Sequence, residues 1–318
     1  MEPQGEFDME ETVRIRIGNQ TAYTVQNIMQ PFEYAVANGF DAFEWFPDKK
    51  ASGAGWTEGD ISAEKRAVIK EAARSNDICL TVHASSRTIP MNPPGDNSIY
   101  ETIEFAQDIG ASLFNIHLST NGGLRVYYET ITPIIKQLVE AGIKLSIENT
   151  IDTTPADINE LFRQLREPGV ISTDSVGLCL DLGHANLCHT TRNDYLRYVD
   201  LIGPDVPIIH LHMHENYGDY DSHLPIFTGP SGRDPSGIMG LFKRMQQRHF
   251  AGCVILEQWP IPPSLLNTSR SRLLEIIDSL SIGIPQLADD ILQKVIGAAP
   301  ELSAYRRGVQ KEWDNEKT

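Results

Sequence analysis

The stretch PIIHLHMHE, residues 207–215, alternates apolar and ionisable side chains with a period of two. Side chains of a β-strand point alternately to its two faces, so Ile209, Leu211 and Met213 share one face and His210, His212 and His214 the other. The apolar face suits packing beneath helices. Three histidines opposite do not suit a second hydrophobic layer and belong in an interior that accepts polar groups. A parallel barrel offers both surroundings, because each strand turns one face to an outer ring of helices and the other to the interior.

The same organisation extends along the chain. Further β-rich runs, VRIRI at 13–17, FDAFEWF at 40–46, CLTVHA at 79–84, SLFNIHLS at 112–119, KLSIENT at 144–150, VGLCLDLGHA at 176–185 and GCVILEQW at 252–259, recur between amphipathic segments. SAEKRAVIKEAARSND at 62–77 gathers its apolar residues on one helical face, and TTPADINELFRQLREPG at 153–169 has an N-cap threonine, an early proline and a terminal glycine. Eight strands alternating with helices predict an α/β fold, a (β/α)8 TIM barrel. No Gly-rich phosphate loop follows the first strand, which argues against a doubly wound dinucleotide fold. The barrel is expected over 12–281, after a flexible acidic N-terminus at 1–11 and before a C-terminal helical extension and tail at 282–318.

Parity sorts the remaining strands in the same way. Leu80 and Val82 face helices while Thr81 and His83 face in; Phe114, Ile116 and Leu118 oppose Asn115 and His117. Leu178 and Leu180 oppose Cys179 and Asp181, and Val254 and Leu256 oppose Ile255 and Glu257. The ionisable residue comes near the end of its strand, at the C-terminal rim where barrel enzymes build their sites. His83, His117, Glu148, Asp181, His212 and Glu257 are thus expected on one rim. Burying carboxylates and imidazoles together costs several kcal/mol per uncompensated charge, and a bound cation is the economical remedy. Imidazole and carboxylate donors suit Zn, Mn, Fe or Co better than Ca or Mg.

Charge and composition narrow the partners. A formal charge of -16 and a pI near 4.9 work against gripping extended nucleic acid, whose binding rests on Lys and Arg. The acidic start MEPQGEFDMEE is unlike a secretory signal, and no apolar run is long enough for a bilayer, so a cytoplasmic protein without a membrane partner is expected. Cys79, Cys179, Cys188 and Cys253 lack CxxC spacing and read as reduced, packed thiols.

Other residues carry weaker claims. Glu44, inward at the end of the second strand, reads either as a hydroxyl-binding group or as an ion pair at the barrel mouth. Arg87 and Arg233 are candidate phosphate contacts, and His214 either orients a ligand or meets a substrate hydroxyl. His210 suits hydrogen bonding behind the ligands, and Asn149, Asn186 and Asn216 could offer amides to a polyol or cap helices. Trp45, Phe46 and Trp259 end strands at the rim, where an aromatic face can cover a sugar ring, although core packing is the commoner fate. Cys188 and His189 read as bystanders.

At LDLGHA (180–185) and HLHMHENYGDYDSHLP (210–225) the chain resembles the xylose isomerase-like barrel superfamily, which includes sugar isomerases and epimerases, inosose dehydratases and the endonuclease IV type of nuclease. The resemblance runs from FDAFEWF to VILEQW, and its most specific pieces are Asp181 with His184, the histidine-rich seventh strand, and Asp221 with His223. It implies a single metal held by Glu148, Asp181, His212 and Glu257, as in the epimerases. It also implies a fuller set, adding His83, His117, His184, Asp221 and His223, as in the three-zinc nuclease, so one to three ions are expected. The loop IFTGPSGRDPSG, 226–237, departs from the short glycine-rich turn of many relatives.

Two chemistries follow from these expectations. The first is isomerisation or epimerisation of a small sugar, sugar phosphate or polyol through an enediolate, with Glu148 and Glu257 as catalytic proton carriers. The second is hydrolysis of a small phosphoester by a multinuclear cluster with Glu148 as a bridge. A barrel that binds metal or sugar without turnover is the third class. The C-terminal extension offers a surface for homo-oligomer contact.

Overall fold

The computed structural model describes residues 14–50, 52–85, 98–167 and 175–281. The expected acidic N-terminus and C-terminal extension lie outside the described residues, as does Arg87. Strands β1 (Arg16–Gln20), β2 (Ala42–Trp45), β3 (Cys79–His83), β4 (Leu113–His117), β5 (Lys144–Glu148), β6 (Val176–Asp181), β7 (Ile208–Met213) and β8 (Cys253–Leu256) pair in parallel and in order. Closure comes from β8 pairing back onto β1, with Arg16 opposite Cys253 and Gly18 opposite Ile255.

Helices α1 (Gln30–Ala37), α2 (Ala63–Ser75), α3 (Ser98–Ile109), α4 (Leu124–Glu140), α5 (Pro155–Leu165), α6 (Leu182–Leu187), α7 (Tyr195–Leu201), α8 (Ser236–Gln247) and α9 (Ser264–Ser281) fill the connections. Their ends follow local chemistry. Ser62 accepts the amide of Lys65 at the start of α2, and Thr154 with Asp157 forms a reciprocal capping box before the proline that opens α5. Among the described residues no helix is long and apolar enough to cross a membrane.

Two expected boundaries move. The first strand begins at Arg16 and runs to Gln20, three residues beyond VRIRI, because ladder partners on β2 and β8 decide a strand's extent, whereas alternation shows only its parity. The sixth run, VGLCLDLGHA, divides at Asp181: the carboxylate caps α6 by accepting the amide of His184 at 2.6 Å, so LGHA is helical.

The outward parity makes the core. Phe43 and Trp45 meet Phe32, Trp56 and Phe105 with ring centroids 5.1–6.0 Å apart between α1 and α3. Trp45 is fully buried there, so the sugar-covering alternative does not hold for it: its parity turns it away from the rim. Trp259 packs edge-on against Tyr34 at 5.5 Å, whereas Phe46 lies 4.5 Å from the His83 ring. The inward parity is largely polar and fully buried at Glu44, Thr81, Asn115, Ser146 and His210. The four cysteines are free, and Cys179, Cys188 and Cys253 are buried.

Trp45→Ala is expected to lower stability by about 3–5 kcal/mol, the usual cost of emptying an aromatic core site. Denaturant unfolding measures that loss, and metal content should be unchanged because Trp45 faces away from the interior.

Candidate metal centre

The strand ends deliver what parity predicted to one rim, and Glu148 lies at its centre. Its Oε2 accepts the Asn115 amide at 2.5 Å and lies 3.1 Å from both His83 Nε2 and His212 Nδ1. Its Oε1 lies 3.3 Å from His117 Nε2 and from His184 Nδ1. His212 Nδ1 is also 3.1 Å from Glu257 Oε1, and Asp181 joins through His184 Nδ1 at 3.5 Å and His214 Nε2 at 3.1 Å. Beside this group, Asp221 Oδ2 lies 3.3 Å from His184 Nε2 and 3.1 Å from His223 Nε2. All nine residues of the fuller ligand set therefore converge.

Local structure explains the two short motifs. Because Asp181 caps α6, His184 is held one turn on and returns to the same rim. Asp221 and His223 are carried by a loop whose base is clamped: Glu215 and Leu224 exchange backbone hydrogen bonds at 2.8 and 2.9 Å, and the Glu215 carboxylate accepts the amides of Gly229 and Ser231. His223 sits in the left-handed region at φ 43°, uncommon for a non-glycine residue.

These side chains fit a divalent cation. Two donors bound tetrahedrally at ordinary Zn–N or Zn–O lengths lie roughly 3.4 Å apart, close to the 3.1–3.3 Å separations of His83, His117 and His212 from Glu148, of His212 from Glu257 and of His184 Nε2 from Asp221. Glu148 Oε1, Glu257 Oε2 and His212 Nδ1 are buried without hydrogen-bond partners, although such groups are normally satisfied. The Nδ1 atoms of His83, His184 and His223 meet main-chain carbonyls, 2.7 Å from Ala84 O, 2.9 Å from Asn149 O and 3.2 Å from Glu257 O, and that of His184 also borders Glu148 Oε1 at 3.3 Å. A carbonyl only accepts, so each Nδ1 carries the proton and each Nε2 presents its lone pair, as metal-binding histidines do.

Protons and charges are tightly coupled here. Burial pushes Glu148 up, yet His212, His117 and His83 together hold it well below the carboxylate range. Burial likewise opposes a charged His184, but Asp181 and Asp221 raise it well above an ordinary histidine. Without a cation, protonated imidazoles supply the compensating charge.

The remaining candidates fall into place. Glu44 is fully buried beneath the rim, 3.0 Å from both His210 Nε2 and His212 Nε2, so the ion pair prevails over substrate contact. His214 is buried too, stacked on His223 with centroids 4.0 Å apart and pressed on Gly183, where a Cβ would come within 1.9 Å of the ring. It stands in groups that could hold an ion, with Asp181 and His184 and with Asp221 and His223, a placement the nine-residue set missed although parity had turned it inward. Arg233 is exposed after the Pro230–Gly232 turn. Asn149 exchanges two hydrogen bonds with the Asp181 backbone, and Asn186 donates to Asn216 Oδ1, so these amides tie loops together. Cys188 is buried and His189 exposed.

Fold and cluster together define a class, a closed parallel barrel with a histidine and carboxylate site at its C-terminal rim. A family model described as xylose isomerase-like TIM barrel matches residues 32–276, and the chain belongs to that family. Among solved structures it is similar to a D-tagatose 3-epimerase-like protein, at 20% identity and TM-score 0.65 over 84% of this chain and 99% of that one. It is also similar to a D-psicose 3-epimerase solved with D-fructose, at 17% identity and TM-score 0.55 over 76% and 83% of the two chains. At such identities the likeness is one of fold. An uncharacterised protein of Methanocaldococcus jannaschii is 29% identical over 108 residues, 32% of this chain, and the match spans only 34% of that relative's length.

Asp221 raises His223 to about 9 against the opposing effect of burial. A histidine raised from 6.5 stabilises the fold fully below that value and loses the contribution as pH rises through about 9. Chelator-treated protein is therefore expected to lose thermal stability between pH 6.5 and 9. Zinc-loaded protein should gain on it across that window, since deprotonated ligands favour the cation. A metal-free melting temperature that stays level or rises over the window contradicts the charged cluster.

Proposed function

We propose that the chain is a divalent-metal-dependent enzyme acting on a small phosphoester such as a sugar phosphate, and that its site takes more than one ion. The observation that carries this reading is the position of Glu148, whose two oxygens lie within 3.1–3.3 Å of His83, His117, His184 and His212. A carboxylate so enclosed suits a bridge between ions better than a carrier of protons from carbon. His83 and His117 would hold a cation with Glu148; Asp181, His212 and Glu257 would share Glu148 with a second; His184, Asp221 and His223 form the third group. Five carboxylates lie in and under the rim, Glu44, Glu148, Asp181, Asp221 and Glu257, and one divalent ion offsets only part of that charge.

Hydrolysis of a small phosphoester is the chemistry this geometry supports best. Cations held by these residues would acidify a water near neutral pH and offset charge on the phosphoryl oxygens. The chain's own part is to orient these groups and keep the base of the site dry. Asp221 and His223, with side chains 31% and 39% exposed, are the ligand candidates nearest solvent, so substrate would approach over the 215–231 loop. The strongly acidic chain favours a small substrate over a nucleic acid.

A second reading, epimerisation through an enediolate, draws on Glu148 and Glu257 each standing 3.1 Å from His212 Nδ1, and on the epimerases among the similar folds. It requires one ion and two glutamates able to exchange a proton with carbon.

Elemental analysis with a dual assay separates the readings: phosphate release from sugar phosphates against deuterium uptake from solvent into free and phosphorylated ketoses. Two or three ions per chain with phosphate release are expected, and His117→Ala should remove about one ion and lower turnover by ~100-fold or more. One ion with deuterium uptake lost in Glu148→Gln and Glu257→Gln would establish the epimerase instead. Metal retention with neither activity would point to a binding protein.

A further inference from the structure

We infer that Glu44 is a positioning residue of the metal centre, holding His212 with its Nδ1 lone pair toward the cation and its Nε2–H turned into the barrel. The inference rests on the metal-centre reading above. Glu44 is the penultimate residue of β2, on the inward face and paired with Thr81, one layer below the rim. Its Oε2 accepts the Thr81 hydroxyl at 2.9 Å and lies 3.0 Å from His210 Nε2. Its Oε1 lies 3.0 Å from His212 Nε2, an ion-pair distance rather than an aligned hydrogen bond, and both atoms are buried without any other polar partner among the described residues. All three ionisable side chains are fully buried.

Both ring nitrogens of His212 face carboxylates, but Glu148 and Glu257 are candidate ligands whereas Glu44 lies beneath them, so a cation shared by Nδ1 and the rim carboxylates would leave the ring proton on Nε2, toward Glu44. A neutral imidazole protonated at Nε2 has its lone pair at Nδ1, and His212 Nδ1 is the atom that meets Glu148 and Glu257, each at 3.1 Å. His212 is thereby the reverse of His83, His184 and His223, which give Nδ1 to a main-chain carbonyl and present Nε2.

The reason for the reversal lies in the fold. The carbonyls that hold those three rings belong to Ala84, Asn149 and Glu257, each just past the end of a strand. His212 sits inside β7, paired with Asp181 on one side and Ile255 on the other, where main-chain carbonyls are engaged in the ladder. A ring there needs a side-chain acceptor, and Glu44 supplies it across the interior. Carboxylate partners of this kind fix the tautomer and orientation of a ligating histidine, and losing one commonly weakens metal binding ~10–100-fold.

Zinc competition against a chromogenic chelator, on the full chain and its Glu44→Gln variant, tests this. The variant is expected to release one zinc ion ~10–100-fold more readily. Its cobalt-substituted form should show a shifted visible absorption band. Equal zinc affinity and an unchanged cobalt spectrum overturn the inference. So does loss of one whole ion in both Glu44→Gln and Cys179→Ser, which would make Glu44 a ligand of a deeper site with Cys179, His210 and His212. If Glu44→Gln does not fold, ring-nitrogen NMR of the zinc-loaded parent decides: an Nε2–H His212 is expected, and an Nδ1–H His212 overturns the inference. A parent chain that retains no zinc at all would instead sink the metal-centre reading.

Discussion

Glu148 is a carboxylate with no contact to water, enclosed by four imidazoles and one amide. An ion in such surroundings persists only if its neighbours compensate the lost hydration, at several kcal/mol for each charge left unbalanced. The rest of the rim can be understood from that requirement. His83, His117, His184 and His212 approach Glu148 from β3, β4, the first turn of α6 and β7, and the rings of His83, His184 and His212 are met by acceptors further out. Asn115 donates to Glu148 and accepts from Ser146, so even the layer below the rim is committed to the same carboxylate.

The barrel suits this arrangement because closure brings together side chains that no open sheet could converge. Alternate strands fill successive layers of the interior, and a layer of polar residues beneath the rim replaces the aliphatic filling usual in such interiors. Thr81, Glu44 and His210 form one connected group there, and Asn115 with Ser146 another. Loops then finish the site. The Glu215 carboxylate and the Glu215–Leu224 bridge hold the segment that lowers Asp221 and His223 onto the cluster, and His214 is wedged between Gly183 and His223. Asp181 serves twice, as helix cap and as member of the cluster, which is why a strand and a helix meet at that residue.

Much of the site was legible because two periodicities carry most of its information. Alternation in HLHMH placed His210, His212 and His214 inward, and the three-residue spacing of Asp181 and His184 matches one helical turn from an N-cap. Trp45 stands one position from Glu44, and the parity of a single residue sends it into the core rather than to the mouth. The start of β1 was misplaced for a related reason: RIRI alternates as a strand should, but pairing with β2 and β8 decides where the ladder begins.

By itself the sequence determined the eight-fold strand and helix order, the inward parity of His83, His117, Glu148, Asp181, His212 and Glu257, and the acidic charge that disfavours a polyanion. These are local or additive properties, set by side-chain alternation and by counting. Tertiary structure alone decided which nitrogen each histidine turns to its neighbours, that Glu44 serves His210 from 166 positions away, and that His214 joins the cluster. Such contacts depend on the register of strands across a closed barrel and on loop clamps far apart in the chain, and neither leaves a periodic trace in the residues that make them.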